Sequence, residues 1–276
     1  MTIADRALAE NALRNLNYYR LSGYWMHFED CRDPHHFKPG TTFEDILALY
    51  DFEKTLRQFC FEGISRLEVS FRTQWAHQMG MKYGSHSYLE PKLCNDFSAW
   101  LDNMKKIQAE FGRSKEPFIK HYKTKYAESF PPVWVVCEIL SFGTLSCWYM
   151  NLASGAAKDE IASFYGVDSS LLESWMHSLS VLRNHCAHQS RIILKALPIQ
   201  PMRPKSPKVA ITPLWQINAS LHNLLLILFF LNDRISMPSV WRKEFFQFLV
   251  QNSDKAIEFL GFPSCWQNDG FWNAFA

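Results

Sequence analysis

Apolar positions along most of this chain recur every three to four residues, which is the period of an amphipathic helix. Residues 3–16 read as a helix running on into the aromatic block Tyr18, Tyr19, Tyr24 and Trp25. From Glu29 to Gly40 there is no period and two prolines stand in the way, so the segment is predicted to be a loop. Thr42 has the chemistry of an N-cap and opens a helical pattern that holds from Phe43 to about Met81, with Gly63 in its middle. One long helix, or two nearly collinear ones, is the expectation there. Further helices are predicted over 96–111, 117–127, 133–150 and 158–164. Ser170 and Glu173 have the spacing of a capping box and open a helix predicted to reach Leu194. Thr212 and Pro213 begin a very apolar helix to Ile235, and two short helices near 239–251 and 253–260 complete the pattern. A short hairpin within 197–212 is opposed by its prolines. No repeat appears and no linker divides the chain. The fold class is therefore all-α, with a single domain over 1–276: a motif-bearing bundle core over 43–235, an N-terminal block over 1–28 and C-terminal helices over 236–276.

Composition narrows the setting. With 47% hydrophobic and 20% charged residues, the 276-residue chain can bury a sizeable core. Its net charge of +2 is too small to indicate a nucleic-acid partner, so any such partner must be recognised by local clusters. Seven cysteines, an odd number without a CxxC pair, argue against a disulfide framework or a cysteine-based zinc site. The first residues lack the pattern of a signal peptide. The most apolar run, Leu224 to Leu231, is too short to span a bilayer and is bracketed by His222, Asn223, Asn232 and Asp233, so it reads as a buried core helix. A cytoplasmic protein with no membrane partner is expected.

Candidate chemistry concentrates between Leu179 and Arg191. Continued as a helix, this segment places Leu179, Leu182, Cys186 and Ile193 on an apolar face, and Asn184, His188, Arg191 and Lys195 along another, with Arg183 flanking. A cation, an amide and an imidazole on one surface suit RNA cleavage without a metal. A base takes the ribose 2′-OH proton, the oxygen attacks the adjacent phosphorus, an acid protonates the leaving 5′ oxygen, and a cation holds the phosphate charge. Histidine titrates near neutral pH, and arginine grips two phosphate oxygens without losing its charge. A two-fold partner would supply the second proton-transfer group. The plainer alternatives are a salt-bridged surface helix or, for His185 and His188, metal ligation. Their spacing is poor for two ligands on one face and no carboxylate or cysteine pattern completes a site, so neither metal nor cofactor is expected.

The run Arg183-Asn184-His185-Cys186-Ala187-His188 resembles the R-x4-6-H signature of HEPN (higher eukaryotes and prokaryotes nucleotide-binding) domains. More specifically, LRNHCAHQSRI is similar to the motif of the Abi (abortive infection) family of phage-resistance proteins. Asn15–Trp25, Phe43–Phe59, Ile64–Arg72 and Pro131–Leu152 resemble that family's other blocks in order, so the resemblance covers roughly Ala4 to Ile193. It implies a HEPN-like helical bundle and a homodimer with a composite site. The activity it implies is metal-independent RNA cleavage leaving a 2′,3′-cyclic phosphate, in abortive infection or toxin–antitoxin-like growth arrest, with an RNA or protein antitoxin. Position by position it assigns catalysis to Arg183, Asn184 and His188.

Other residues support an RNA reading less directly. Arg191, Lys195, Arg203 and Lys205 are candidate RNA contacts, with Lys208 in the same loop. Lys115, Lys120, His121, Lys123 and Lys125 form a second basic stretch. Tyr18, Tyr19, Arg20, Tyr24 and Trp25 suit either an aromatic wall for RNA or packing onto the core. Arg66, Glu68 and Arg72 suggest an ion pair, with Glu68 also able to position Arg183. Glu138, a lone carboxylate in an otherwise apolar helix, needs a partner, and a structural hydrogen bond is expected for it. Rival readings are a non-catalytic RNA-binding module and a small-nucleotide binder, the latter disfavoured because no glycine-rich phosphate loop is present.

Overall fold

Thr42 starts the spine of the molecule. Its hydroxyl accepts from the Asp45 amide while the Asp45 carboxylate accepts from the Thr42 amide, a reciprocal cap. Beyond it α3 runs unbroken for 41 residues, Phe43–Tyr83, about 60 Å at 1.5 Å per residue. The computed structural model describes residues 1–30, 33–235 and 240–275, with 33–35 described by backbone alone.

Before the spine come α1 (Arg6–Asn15), α2 (Tyr18–Trp25) and a two-stranded antiparallel hairpin, β1 (Glu29–Asp30) with β2 (Asp33–Phe37). After it come α4 (Phe97–Arg113), α5 (Pro117–Lys125), α6 (Val133–Ile139), α7 (Phe142–Asn151), α8 (Ala156–Phe164), α9 (Ser169–Ala187), α10 (Ser220–Arg234) and α11 (Trp241–Gln251). Short turns of helix finish the described chain. The spine packs against α2, α6, α8, α9, α10 and α11, while α7 lies on α9 and α4 on α7. Ile46, Leu49, Leu56, Cys60, Ile64, Leu67, Phe71, Trp75 and Met79 give α3 its buried face. Apart from Ile119 and Tyr122 of α5, the buried apolar side chains form one connected cluster from Ala9 to Phe275. As its composition predicts, α10 is buried all round from Leu221 to Asn232. No described helix is long and apolar enough to cross a membrane.

The all-α expectation holds, and the departures from it have local causes. Asn17 accepts from the Tyr19 amide and caps a new helix, so α1 and α2 are separate. The predicted loop over 29–40 contains the hairpin. Leu140 is extended and Ser141 caps Thr144, dividing the helix expected over 133–150. The apolar helix starts at Ser220 rather than Thr212; residues 207–214 are turns instead. The predicted helix start at Ser239 and Cys31 lie outside the described residues. The most consequential departures concern α9. Asp168, not Ser170, is its N-cap, accepting from the Leu171 amide at 2.9 Å, and it ends at Ala187, not Leu194.

Candidate functional site

The end of α9 is a Schellman motif. The Gln189 amide donates to the Cys186 carbonyl at 3.2 Å and the Ser190 amide donates to the His185 carbonyl at 2.8 Å. Closing it requires a left-handed residue, and Gln189 takes that role at φ 55°. Two long-range anchors hold the chain in this course. Both Nη groups of Arg20 on α2 donate to the Gln189 carbonyl, at 2.9 and 3.0 Å. Past the turn, the amides of Ile192 and Ile193 donate to Glu53 Oε1, the latter at 3.0 Å.

Glu53 is a fully buried carboxylate in the middle of the α3 stripe. It also accepts from the Tyr24 hydroxyl and lies 2.8 Å from Arg57 Nη1. Burial and the Glu53 charge push the Tyr24 hydroxyl up to about 12, so it remains a donor. Burial works against the Arg57 charge, but the Tyr24 oxygen and the Glu53 carboxylate beside it outweigh burial and hold the guanidinium above its ordinary range. Helix α2, the spine and the segment after α9 thus meet at one carboxylate.

Asn184 lies in the last turn of α9, Arg183 just before it, and His188 is the C-cap of the helix. The His188 amide donates to the Asn184 carbonyl at 3.0 Å, stacking the two residues one turn apart. Both side chains are exposed. Arg183 is half-buried, its Nε 3.6 Å from Glu68 Oε2 and its guanidinium 5.6 Å from the Phe61 ring centre. Glu68 also takes Arg72, whose Nη1 donates to the Cys137 and Glu138 carbonyls at 2.8 and 2.9 Å. One buried carboxylate therefore faces both Arg72 and Arg183, which gives the ion pair expected of Glu68 and Arg72. Cys186 is a packed thiol, as expected. Its hydrogen bond to Cys60, together with burial, pushes the Cys60 thiol well above the usual range.

The continuous stripe Asn184, His188, Arg191, Lys195 does not exist, because the helix stops before His188. Arg191 turns inward and donates to the Gly23 carbonyl. Lys195 is exposed beyond the turn; burial and the nearby Arg191 lower its pKa, and burial with Lys195 lowers that of the half-buried His185. Arg203 and Lys205 are exposed in a loop pinned at the opposite end of α9. The Trp175 indole donates to the Met202 carbonyl at 2.9 Å and the Met202 amide donates to Ser174 Oγ at 2.8 Å. Ser174 lies about 20 Å from His188 along the helix axis. In the second basic stretch, Lys123 donates to the Phe111 and Gly112 carbonyls, while Lys115, Lys120 and Lys125 are exposed. The structural hydrogen bond expected of the Glu138 carboxylate is not made among the described residues: the group is exposed, so water can serve it.

Sequence reasoning missed Glu53 and Arg57, whose signal was a pair of charges four apart inside an otherwise apolar stripe. Arg57 borders a cleft of about 370 Å³ between α3 and the end of α9, lined also by Lys54, Gln58, Phe61, Ala187 and Gln189 among others. Among the described residues no three His, Cys, Asp or Glu side chains are grouped to hold a metal ion.

Residues 11–194 match the profile of the Abi-like protein family, two thirds of the chain. The chain belongs to that family. The match ties it to the abortive-infection type of protein that its sequence blocks resemble. It takes in α2, the spine, the whole of α9 and the Glu53 anchor, so the turn after α9 and its two long-range anchors lie in the Abi-like region. No curated protein and no solved structure matches the chain.

Proposed function

We propose that this Abi-like protein is a metal-independent endoribonuclease of the HEPN type, acting in phage defence by abortive infection or toxin-like growth arrest. What supports this reading is the exposure of Asn184 and His188 one turn apart at the end of α9, with Arg183, the residue before Asn184, held against Glu68. Arg183 stabilises the phosphate charge that builds as the ribose 2′ oxygen attacks phosphorus. His188 transfers a proton, and Asn184 orients the phosphate or the imidazole. The 2′-OH proton passes to the base, the P–O5′ bond breaks, the 5′ oxygen gains a proton, and a 2′,3′-cyclic phosphate remains. One copy presents a single exposed motif histidine, so a homodimer completes the acid–base pair. The whole chain acts as one domain in the cytoplasm, restrained by an antitoxin RNA or protein, with Arg203 and Lys205 touching the outer part of the strand.

That single histidine also favours a second reading, an RNA-binding module without catalysis. Purified protein in EDTA, given RNA, separates the two. Cleavage with cyclic-phosphate ends is expected, falling by roughly 10²–10⁴-fold in His188→Ala while helical content is kept. Cleavage at the parent rate by His188→Ala, in preparations free of contaminating nuclease, overturns the assignment. RNA binding without any cleavage by the parent favours the second reading.

A further inference from the structure

We propose that the cleft between α3 and the end of α9 is a phosphate subsite that grips the RNA strand beside the scissile bond. The proposal rests on the nuclease reading above and names a part of the site that the Arg183–His188 motif does not include.

Its floor is Arg57. The residue is 2% exposed, yet Nε, Nη1 and Nη2 find no hydrogen-bond acceptor among the described residues. Nη1 lies 2.8 Å from Glu53, off the line of a hydrogen bond. Glu53 takes the amides of Ile192 and Ile193 on one oxygen and the Tyr24 hydroxyl on the other, so its charge faces Nη1 but it has no room for the remaining donors of the fork. A buried guanidinium is a planar fork of five donors, and buried donors of this kind are almost always satisfied. An acceptor that could satisfy several at once is a phosphate, whose oxygens match the fork.

The rim has matching chemistry. Lys54, one residue from Glu53, is exposed and makes no ion pair among the described residues. The Gln58 and Gln189 amides are exposed and add uncharged donors. Glu53 and Arg57 cancel, so Lys54 leaves the cleft with a net positive charge. Phe61 joins the cleft to the motif, since its ring both lines the cleft and carries the Arg183 guanidinium. A strand with one phosphate at Arg183 would lay a neighbouring phosphate in this cleft.

The test uses the full chain carrying His188→Ala, which keeps RNA intact, and compares it with the same chain bearing Lys54→Glu, Lys54→Gln or Gln58→Ala. These positions are exposed, so folding is preserved; Arg57→Lys, which keeps charge but loses the fork, is a further variant. Binding of a short single-stranded RNA is followed between about 50 and 200 mM salt. The expected result is several-fold weaker binding in each variant, with the salt slope of log K reduced by about 0.7 in Lys54→Gln, the value for one single-strand phosphate contact. Inorganic phosphate is expected to compete with RNA in the parent and to lose that effect in Lys54→Glu. Parent-like affinity and slope in the Lys54 and Gln58 variants overturn the subsite while leaving the nuclease reading intact. Stabilisation of the parent by phosphate, with RNA affinity indifferent to Lys54, assigns the cleft to free phosphate and overturns the strand assignment. Failure of the parent to bind RNA at all overturns the nuclease reading, and the subsite with it.

Discussion

Arg20 clasps the carbonyl oxygen of Gln189 with both of its Nη groups, across 169 positions of sequence. The contact fixes the residue that closes the Schellman turn, immediately after His188. The neighbouring clasp of Arg191 on the Gly23 carbonyl ties the same two segments a second time. The N-terminal block is thus the brace of the motif helix. Tyr24 is buried in it, while Tyr18 and Tyr19 stay exposed.

Removing the brace should loosen the site without unfolding the protein. Arg20→Ala is expected to cost about 1 kcal/mol, the range for hydrogen bonds at a partly exposed site. The Gln189 and Ser190 amides should exchange with solvent faster, because the turn that protects them loses its anchor. RNA cleavage should fall through kcat more than through KM, since positioning of His188 is what suffers. Unchanged exchange at those two amides would show that the turn stands without Arg20.

Glu53 carries a larger share of stability. Its carboxylate is fully buried and takes Tyr24, Arg57 and the amides of Ile192 and Ile193. Glu53→Ala leaves the buried Arg57 charge uncompensated and two buried amides without an acceptor, a loss of roughly 3–5 kcal/mol. Tyr24→Phe removes one hydrogen bond to a charged acceptor, roughly 1.5–3 kcal/mol. Urea denaturation of the three proteins measures both, and a Glu53→Ala loss smaller than that of Tyr24→Phe would contradict the anchoring role.

Much of this architecture is legible in the residues themselves. The spine shows because its apolar stripe persists and Thr42 and Asp45 mark its start. Helix α10 shows because no face of it is polar. Arg183, Asn184 and His188 fall at one helix end, which their spacing alone makes legible. The true end of α9 is hidden for a physical reason. Helices that stop in a left-handed residue usually place glycine there, and Gln189 carries no such mark. What holds it is Arg20 and Glu53, far away in sequence. The RNA contacts assigned to Arg191 and Lys195 depended on the helix continuing, so their shared face vanished with it. The start of α10 is hidden in a similar way: Pro213 suits a first turn, but the chain makes several turns before Ser220, where no side chain caps the helix.

Gly63 explains how the middle of the spine accepts a large neighbour. A Cβ built there would sit 2.7 and 2.8 Å from two ring carbons of Trp241, closer than atoms pack. The Trp241 indole donates to the Phe59 carbonyl at 2.9 Å, so the ring has little freedom to retreat. Alanine would gain about 1 kcal/mol of helix propensity at this position. Overpacking should outweigh that gain and leave Gly63→Ala destabilised by roughly 1–3 kcal/mol. Combining it with Trp241→Leu should recover part of the loss, measured as a positive coupling in a double-mutant cycle. Simple additivity of the two changes would refute the steric account.

His222 gives the fold a defined acid sensitivity. It is 1% exposed on α10, its Nδ1 3.3 Å from Asn223 Oδ1 and its ring edge-on to Phe262. Burial lowers its pKa from 6.5 to about 4, partly countered by the Asn223 hydrogen bond. The unfolded chain therefore binds a proton at this histidine below about pH 6.5, whereas the folded chain binds it only near pH 4. Between those limits the unfolded state holds more protons, so stability falls as pH falls; above pH 6.5 and below pH 4 this group contributes no slope. The full window amounts to about 3 kcal/mol at 1.36 kcal/mol per unit. Urea titrations at pH 7 and pH 4 should show the parent losing about that much more stability than His222→Gln, which cannot titrate. Carboxylates elsewhere titrate alike in both proteins, so the difference between them isolates the histidine. An identical loss in the two proteins would mean that His222 accepts its proton without leaving the folded state.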